Sequence, residues 1–245
     1  MTDRLSQARE DLVSANRILA NEGVLDAFGH VSVRHPEDPN LFLLSRARSP
    51  EVIDDSDLLE HGLDGEPTVS GGPLPYLERF IHAAVYEARP EVVAVCHAHT
   101  PSILPFSVSL TTPLRAIVHS ARFLGGEVPV WDIASEFGYK TNMLVINQNL
   151  GRSLNRAMGN GPIALMRGHG CVVASNDLQT LVSNCISMDR NAKVQLAATA
   201  LGDYTPIHPD EYAPVHDVAL TERPWDAPRG DNRAWEYFRR RAGVS

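Results

Sequence analysis

The chain is poor in cysteine, in long apolar runs and in spacer sequence. Three cysteines, Cys96, Cys171 and Cys185, stand among 245 residues. Their odd number and the lack of CxxC spacing argue against a disulfide framework and fit a reducing cytoplasm. No apolar run reaches the ~20 residues that a bilayer-spanning helix needs. The N-terminus, Met1-Thr2-Asp3-Arg4, is polar and leads into an amphipathic pattern, unlike a signal peptide. Positive charge is in deficit: 22 Lys and Arg against 30 Asp and Glu leave a net charge of -8. Generic nucleic-acid binding is therefore not expected. The one basic cluster, Arg239-Arg240-Arg241, ends a predicted helix and there complements the helix dipole or a partner subunit. Repeats, low-complexity tracts and Gly/Ser linkers are also missing, so one domain is expected. A hydrophobic content of 43% suits its core.

Periodicity places the elements. Leu5, Ala8, Leu12, Ala15, Ile18 and Leu19 recur at helical spacing and predict a first helix stopped by Gly23. Gly29-His30-Val31-Ser32-Val33-Arg34 alternates as a strand does, and Leu41-Phe42-Leu43-Leu44 reads as a buried strand ending near Ser45. Residues 45–70 are polar, acidic and turn-rich, with a short helix expected near 55–59. Leu77, Phe80, Ile81, Ala84, Val85 and Ala88 form a helical stripe that Arg89-Pro90 ends. Residues 92–99 read as a strand, broken by Pro101 and Pro105. Short strands are predicted at 114–119 and 128–131, and a helix from Leu150 to near Gly159. Buried extended segments follow at 163–166 and 172–174. Asn176 is the predicted N-cap of a long helix through Leu201. Residues 203–245, rich in Pro, aromatics and charge, read as a tail with a short helix. Interspersed strands and helices predict an α/β fold with helices covering a central sheet.

One short run carries chemistry. His97 and His99 sit in Val92-Val93-Ala94-Val95-Cys96-His97-Ala98-His99. Alternate residues of a strand leave on one face, so both imidazoles share a side, about 7 Å apart. Two imidazoles held so can chelate a divalent ion of the zinc, manganese or iron type; two surface histidines at a strand end have the same pattern. Glu78 falls in the first turn of its predicted helix, beside the apolar stripe, where an ordinary glutamate is also favoured. His169 lies between Gly168 and Gly170, and His30 follows Gly29; a turn histidine with a satisfied hydrogen bond fits either. Together such residues would supply three neutral nitrogens and one carboxylate, a catalytic-metal set with room for substrate.

In order and spacing, the run 29–34, Glu78, His97-Ala98-His99 and Gly168-His169-Gly170 resemble the class II aldolase/adducin family over roughly residues 5–205. The resemblance implies a three-layer α/β/α domain, residues 1–205, on a mostly antiparallel sheet. Residues 206–245 would then be a C-terminal tail with a short helix, part of the same domain or of a subunit interface. It implies His97, His99 and His169 as ligands of one divalent metal per subunit, of manganese, zinc, iron or cobalt type. Glu78 matches the acid/base that also touches the metal in the resting site. A homotetramer with sites at subunit interfaces is implied too, as are tail aromatics that close the site, with Tyr204 and Tyr212 as candidates.

The chain departs from the family's sugar-phosphate aldolases at their phosphate cradle. Where they carry Gly-Asn, Ser-Ser and Thr-Gly steps, it has Gly29-His30, Tyr76-Leu77 and Ser45-Arg46. Tyr76 and Leu77 fill space and remove hydroxyl donors, while Arg46 brings a planar fork suited to a carboxylate; a solvated loop residue is the plainer reading of Arg46 and Arg48. Residues 76–82, 164–170 and 29–34 are more similar to the decarboxylase branch, which acts on 3-hydroxy-2-methylpyridine-4,5-dicarboxylate and dihydroxyphthalates. That branch implies a cytoplasmic carboxy-lyase for a small hydroxylated aromatic carboxylate, with neither nucleic acid nor membrane as partner. Glu78 would be the proton donor, its pKa raised toward neutrality. Arg46 or Arg79, with Ser45 and Tyr76, would hold substrate, and His30 would orient it or relay a proton. Aldol cleavage of a small hydroxy-carbonyl substrate is the alternative. An iron-dependent oxygenase and an adducin-like non-enzymatic module stand further off.

Overall fold

Alternating side chains divide the strands between two apolar layers. The computed structural model describes residues 4–211 and 233–244. Its strands are β1 (His30–Arg34), β2 (Leu41–Ser45), β3 (Leu58–Gly62), β4 (Ala94–Ala98), β5 (Val130–Trp131), β6 (Ile163–Met166) and β7 (Gly170–Ser175). They form one sheet in the order β3-β2-β1-β4-β7-β6-β5. Neighbours run antiparallel, except β5 and β6, which are parallel. The helices are α1 (Arg4–Asn21), α2 (Arg79–Ala88), α3 (Leu104–Val108), α4 (Ile133–Phe137), α5 (Gln148–Met158), α6 (Leu178–Leu201) and α7 (Arg233–Arg241).

Val31, Val33, Leu43, Cys96 and Val173 point to one face of the sheet. There Leu12, Ala15, Leu181 and Cys185 of α1 and α6 bury them. Phe42, Leu44, Val95 and Val172 point to the other, against Ile81 of α2 and Leu154 of α5. The result is the three-layer α/β/α arrangement on a mostly antiparallel sheet. Trp235 and Phe238 of α7 join the first layer. Its basic cluster is spent on acids within the chain: Arg239 pairs with Glu10 at 3.0 Å and Arg241 with Glu22 at 2.7 Å.

Helices α2 and α5 approach so closely that Gly151 is required. A Cβ there would collide with the Phe80 carbonyl oxygen and lie 2.9 Å from the Ala84 Cβ. This contact fixes the start of α2, where Glu78 stands.

Three expectations need correction. Residues 114–119 form no strand, because α6 side chains take their backbone groups. Asn191 Oδ1 accepts from the N–H groups of Ile117 and Val118, and Gln195 Oε1 accepts from that of Arg115. The N-cap of α6 is Asp177, not Asn176; its carboxylate accepts from the Thr180 N–H at 2.8 Å. The polar stretch 45–70 contains β3 after a single turn of 3-10 helix at 55–57.

His61 of β3 is buried and stacks on Phe42, with ring centroids 5.1 Å apart. Burial lowers its pKa from 6.5 to about 4. The unfolded chain therefore binds the proton first, and stability falls as pH drops from about 6.5 through about 4. The shift corresponds to about 3 kcal/mol. Urea unfolding at pH 7 and pH 4 should show the wild type losing that much more stability than His61→Phe. Equal losses would contradict it.

Candidate metal centre and cavity

Strand parity brings the polar residues to one place. His97 on β4 pairs with His30 on β1 and Val172 on β7. All three leave on the α2 face, while Cys96 and Ala98 enter the opposite core. His99 follows two residues later, just past the strand end. His169 is set by the turn between β6 and β7. Gly168 takes φ +65° there, and a Cβ on Gly170 would collide with the Ala98 carbonyl oxygen. Glu78 stands one residue before α2 rather than in its first turn.

Each of the three imidazoles is tethered through Nδ1. His97 Nδ1 donates to the Cys171 carbonyl at 3.0 Å, and His169 Nδ1 to the Met143 carbonyl at 2.9 Å. His99 Nδ1 lies 3.1 Å from both carboxylate oxygens of Asp26. These acceptors have no proton to give, so a neutral ring carries its proton on Nδ1 and a bare lone pair on Nε2. The Nε2 atoms of His97 and His99 are 3.0 Å apart. Glu78 Oε2 is 3.4 Å from Nε2 of His97 and of His169. One ligand atom from each of the four residues lies within 4.8 Å of all the others. Lone pairs aimed at one another in this way repel unless a cation lies among them. Three imidazoles and one carboxylate therefore fit a divalent metal, and the Nδ1 tethers hold the donors in place.

The carboxylates are electrostatically fixed. Burial works to raise the Glu78 carboxyl, but the His97 and His169 imidazoles outweigh it and hold it well below the usual carboxylate range. The direction is opposite to the raised value that the acid role implies. Its Oε1 accepts from the Val145 N–H at 2.9 Å, leaving Oε2 to the ligand cluster. Burial likewise works to raise Asp26, and the N–H groups of Phe28 and Gly29, with His99, bring it below its ordinary value.

A cavity of about 610 Å³ opens beside the cluster. His30, Tyr76, Glu78, His99 and His169 line it, with Phe28, Leu74, Pro75, Leu77 and Leu144 as its apolar walls. Arg48 is its cation, not Arg46. Arg46 Nε is held 2.6 Å from the buried Asp57, which also binds Arg48 Nη1 at 2.6 Å. Arg79 is turned away: its guanidinium binds Glu66 at 2.9 Å and the Gly65 carbonyl at 2.7 Å. Ser45 is buried without lining the cavity. The Tyr76 hydroxyl donates to the Arg48 carbonyl, and its ring packs 4.2 Å from that of His30. Tyr204 binds Gln195 of α6 at 2.7 Å and does not line the cavity; Tyr212 lies outside the described residues.

Asp26, Met143 and Val145 escaped the sequence reading. Asp26 had a signal, an aspartate whose carboxylate accepts from the N–H groups two and three residues on, next to a Gly29 turn. Met143 had none: it holds φ +64° without being glycine, a conformation that costs energy unless the fold imposes it.

Residues 10–196 match the Class II Aldolase and Adducin N-terminal domain, and the chain belongs to that family. It is 34% identical over 244 residues to Decarboxylase tropJ of Talaromyces stipitatus, across 92% of this chain and 90% of the relative. It is 32% identical over 210 residues to a 3,4-dihydroxyphthalate decarboxylase of Arthrobacter keyseri, across 80% of each. A solved aldolase II superfamily protein from Pseudomonas syringae shares the fold, with a TM-score of 0.77 at 20% identity, over 99% of this chain and 94% of its own. The relatives support an enzyme with decarboxylase- or aldolase-type chemistry.

His99→Ala should abolish stoichiometric zinc or manganese binding, read by elemental analysis after dialysis. Asp26→Asn should weaken it about 10- to 100-fold. Unchanged metal content in His99→Ala would contradict the ligand assignment.

Proposed function

We propose that the chain is a metal-dependent carbon–carbon lyase that decarboxylates a hydroxylated aromatic carboxylate or dicarboxylate, such as a dihydroxyphthalate or a hydroxypyridine dicarboxylate. The composition of the cavity wall carries this reading. Beside the ligand cluster stand Phe28, Tyr76, Leu77, Leu74 and one guanidinium, Arg48. A flat ring fits the apolar walls, and a carboxylate fits the planar fork of Arg48. The relatives named decarboxylases point the same way.

His97, His99 and His169 would hold the metal, and Glu78 would touch it only in the resting site. When bound, a divalent ion supplies a Lewis acid for the charge left behind as the carbon–carbon bond breaks; manganese, zinc, iron and cobalt all suit this donor set. Arg48 holds a substrate carboxylate away from the reacting carbon. Glu78 takes the proton of the substrate's ring hydroxyl through Oε2. It returns that proton to the ring carbon as carbon dioxide leaves, so the protons balance over one turnover. His30 orients the substrate. The apolar walls exclude water from the carbanion-like carbon.

The same reading takes the protein as a cytoplasmic homotetramer whose cavity a neighbouring subunit covers. Phe28, Leu74 and Leu77 support this, being 72%, 75% and 60% exposed at the cavity. No helix among the described residues is long and apolar enough to cross a membrane. Residues 1–205 form the catalytic domain, and 206–245 belong to it or to the subunit interface, as burial of Trp235 and Phe238 supports. Aldol cleavage would use the same ligands, but the apolar wall favours decarboxylation.

Enzyme loaded with manganese or zinc should release carbon dioxide from 3,4-dihydroxyphthalate or a hydroxypyridine dicarboxylate. Glu78→Gln should lower kcat about 10²- to 10⁴-fold, with the fold retained. Release of an aldehyde from hydroxy-carbonyl substrates, with no carbon dioxide from any hydroxylated aromatic carboxylate, would contradict the reading.

A further inference from the structure

Behind His30 runs a line of buried polar groups that the mechanism above does not use. His30 and Ser32 leave β1 on the face covered by α2, where His82 and Tyr86 are one helical turn apart. His30 Nδ1 is 2.7 Å from His82 Nε2. His82 Nδ1 is 2.6 Å from Ser32 Oγ, which is 2.8 Å from the Tyr86 hydroxyl. All four side chains are buried, at 1% exposure or less. Only His30 reaches the cavity, and with Nδ1 spent on His82 the nitrogen it has left for the cavity is Nε2.

We propose that Tyr86, Ser32 and His82 form a directed hydrogen-bond chain that fixes His30 as an Nε2–H donor to an anionic oxygen of the substrate. The direction follows from proton accounting. The Tyr86 hydroxyl has one proton to donate. Its two acceptors are Ser32 Oγ at 2.8 Å and the Val93 carbonyl at 3.4 Å. The second lies beyond the ordinary range, so the proton goes to Ser32. Ser32 then donates to His82 Nδ1. His82 carries its proton on Nε2 and gives that bond to His30 Nδ1. The proton of His30 is left on Nε2. The reverse order would anchor the whole chain on the long contact to Val93. A 2.7 Å contact between His30 Nδ1 and His82 Nε2 has room for one proton only, and His82 Nδ1 accepts from Ser32, so the tautomer of each ring is set by the chain. A donor at this point favours a carboxylate or phenolate oxygen and disfavours a hydroxyl hydrogen.

His82, Ser32 and Tyr86 are positioning residues, and the substrate half of the proposal rests on the lyase reading, whereas the tautomer does not. Zinc-loaded enzyme labelled with ¹⁵N-histidine, without substrate, is read by long-range ¹H–¹⁵N correlation, with His30 assigned by its loss in His30→Gln. The expected result is a protonated Nε2 and a bare Nδ1 on His30. The opposite pattern in the wild type overturns the proposal, whether or not any variant folds. With 3,4-dihydroxyphthalate as substrate, Ser32→Ala should raise KM roughly tenfold while kcat changes less than threefold. Ser32→Thr, which keeps the hydroxyl, should restore KM; zinc content should match the wild type in both. An unchanged KM in Ser32→Ala overturns the link to substrate. If no hydroxylated aromatic carboxylate is turned over, the lyase reading fails and the histidine spectrum still decides the chain.

Discussion

Everything at the candidate site depends on what holds the far nitrogen of each histidine. Nδ1 of His97 and His169 is spent on backbone carbonyls, and that of His99 on the Asp26 carboxylate. Only then do three Nε2 lone pairs converge beside Glu78. An imidazole free to turn about χ2 would present either nitrogen, and the cluster would lose its common centre. Two tethers are main-chain groups, so the sheet itself and the loop at 142–147 set the ligand geometry. That loop acts twice: its Met143 carbonyl orients His169, and its Val145 N–H orients Glu78.

The cavity adds selection to this fixed centre. The family's sugar-phosphate aldolases place small hydroxyl-bearing residues where this chain has Tyr76 and Leu77. Here the Tyr76 ring packs on His30 and its hydroxyl is occupied by the Arg48 carbonyl. Arg48 is in turn anchored by the buried Asp57. An aromatic wall and an immobilised cation are thus built from one set of contacts, and they face the candidate ligand cluster across the same space.

Much of this was legible in the sequence, and the reasons differ by residue. Alternation along 92–99 put His97 and His99 on one side, because period two is a property of any strand. The glycines flanking His169 marked a turn, and Gly168 does adopt positive φ there. What escaped was set by tertiary partners. Arg46 was the expected cation, yet the choice between Arg46 and Arg48 depends on where Asp57 lies, and the short helix expected near 55–59 did not reveal which arginine its Asp57 would hold. The expected high pKa of Glu78 followed from its role as proton donor; the imidazoles that act in the opposite direction belong to other elements. Residues 114–119 have strand-like composition, but side chains of α6 satisfy their backbone before another strand can. The tethers on Asp26, Met143 and Val145 leave almost no trace in composition.

The central claim is that three Nε2 atoms and one carboxylate hold a catalytic metal. X-ray absorption spectroscopy of the zinc-loaded enzyme tests it most directly. The account predicts three imidazole nitrogens at about 2.0–2.1 Å, with oxygen completing the shell. A shell with one imidazole or none, or with sulfur, would contradict it.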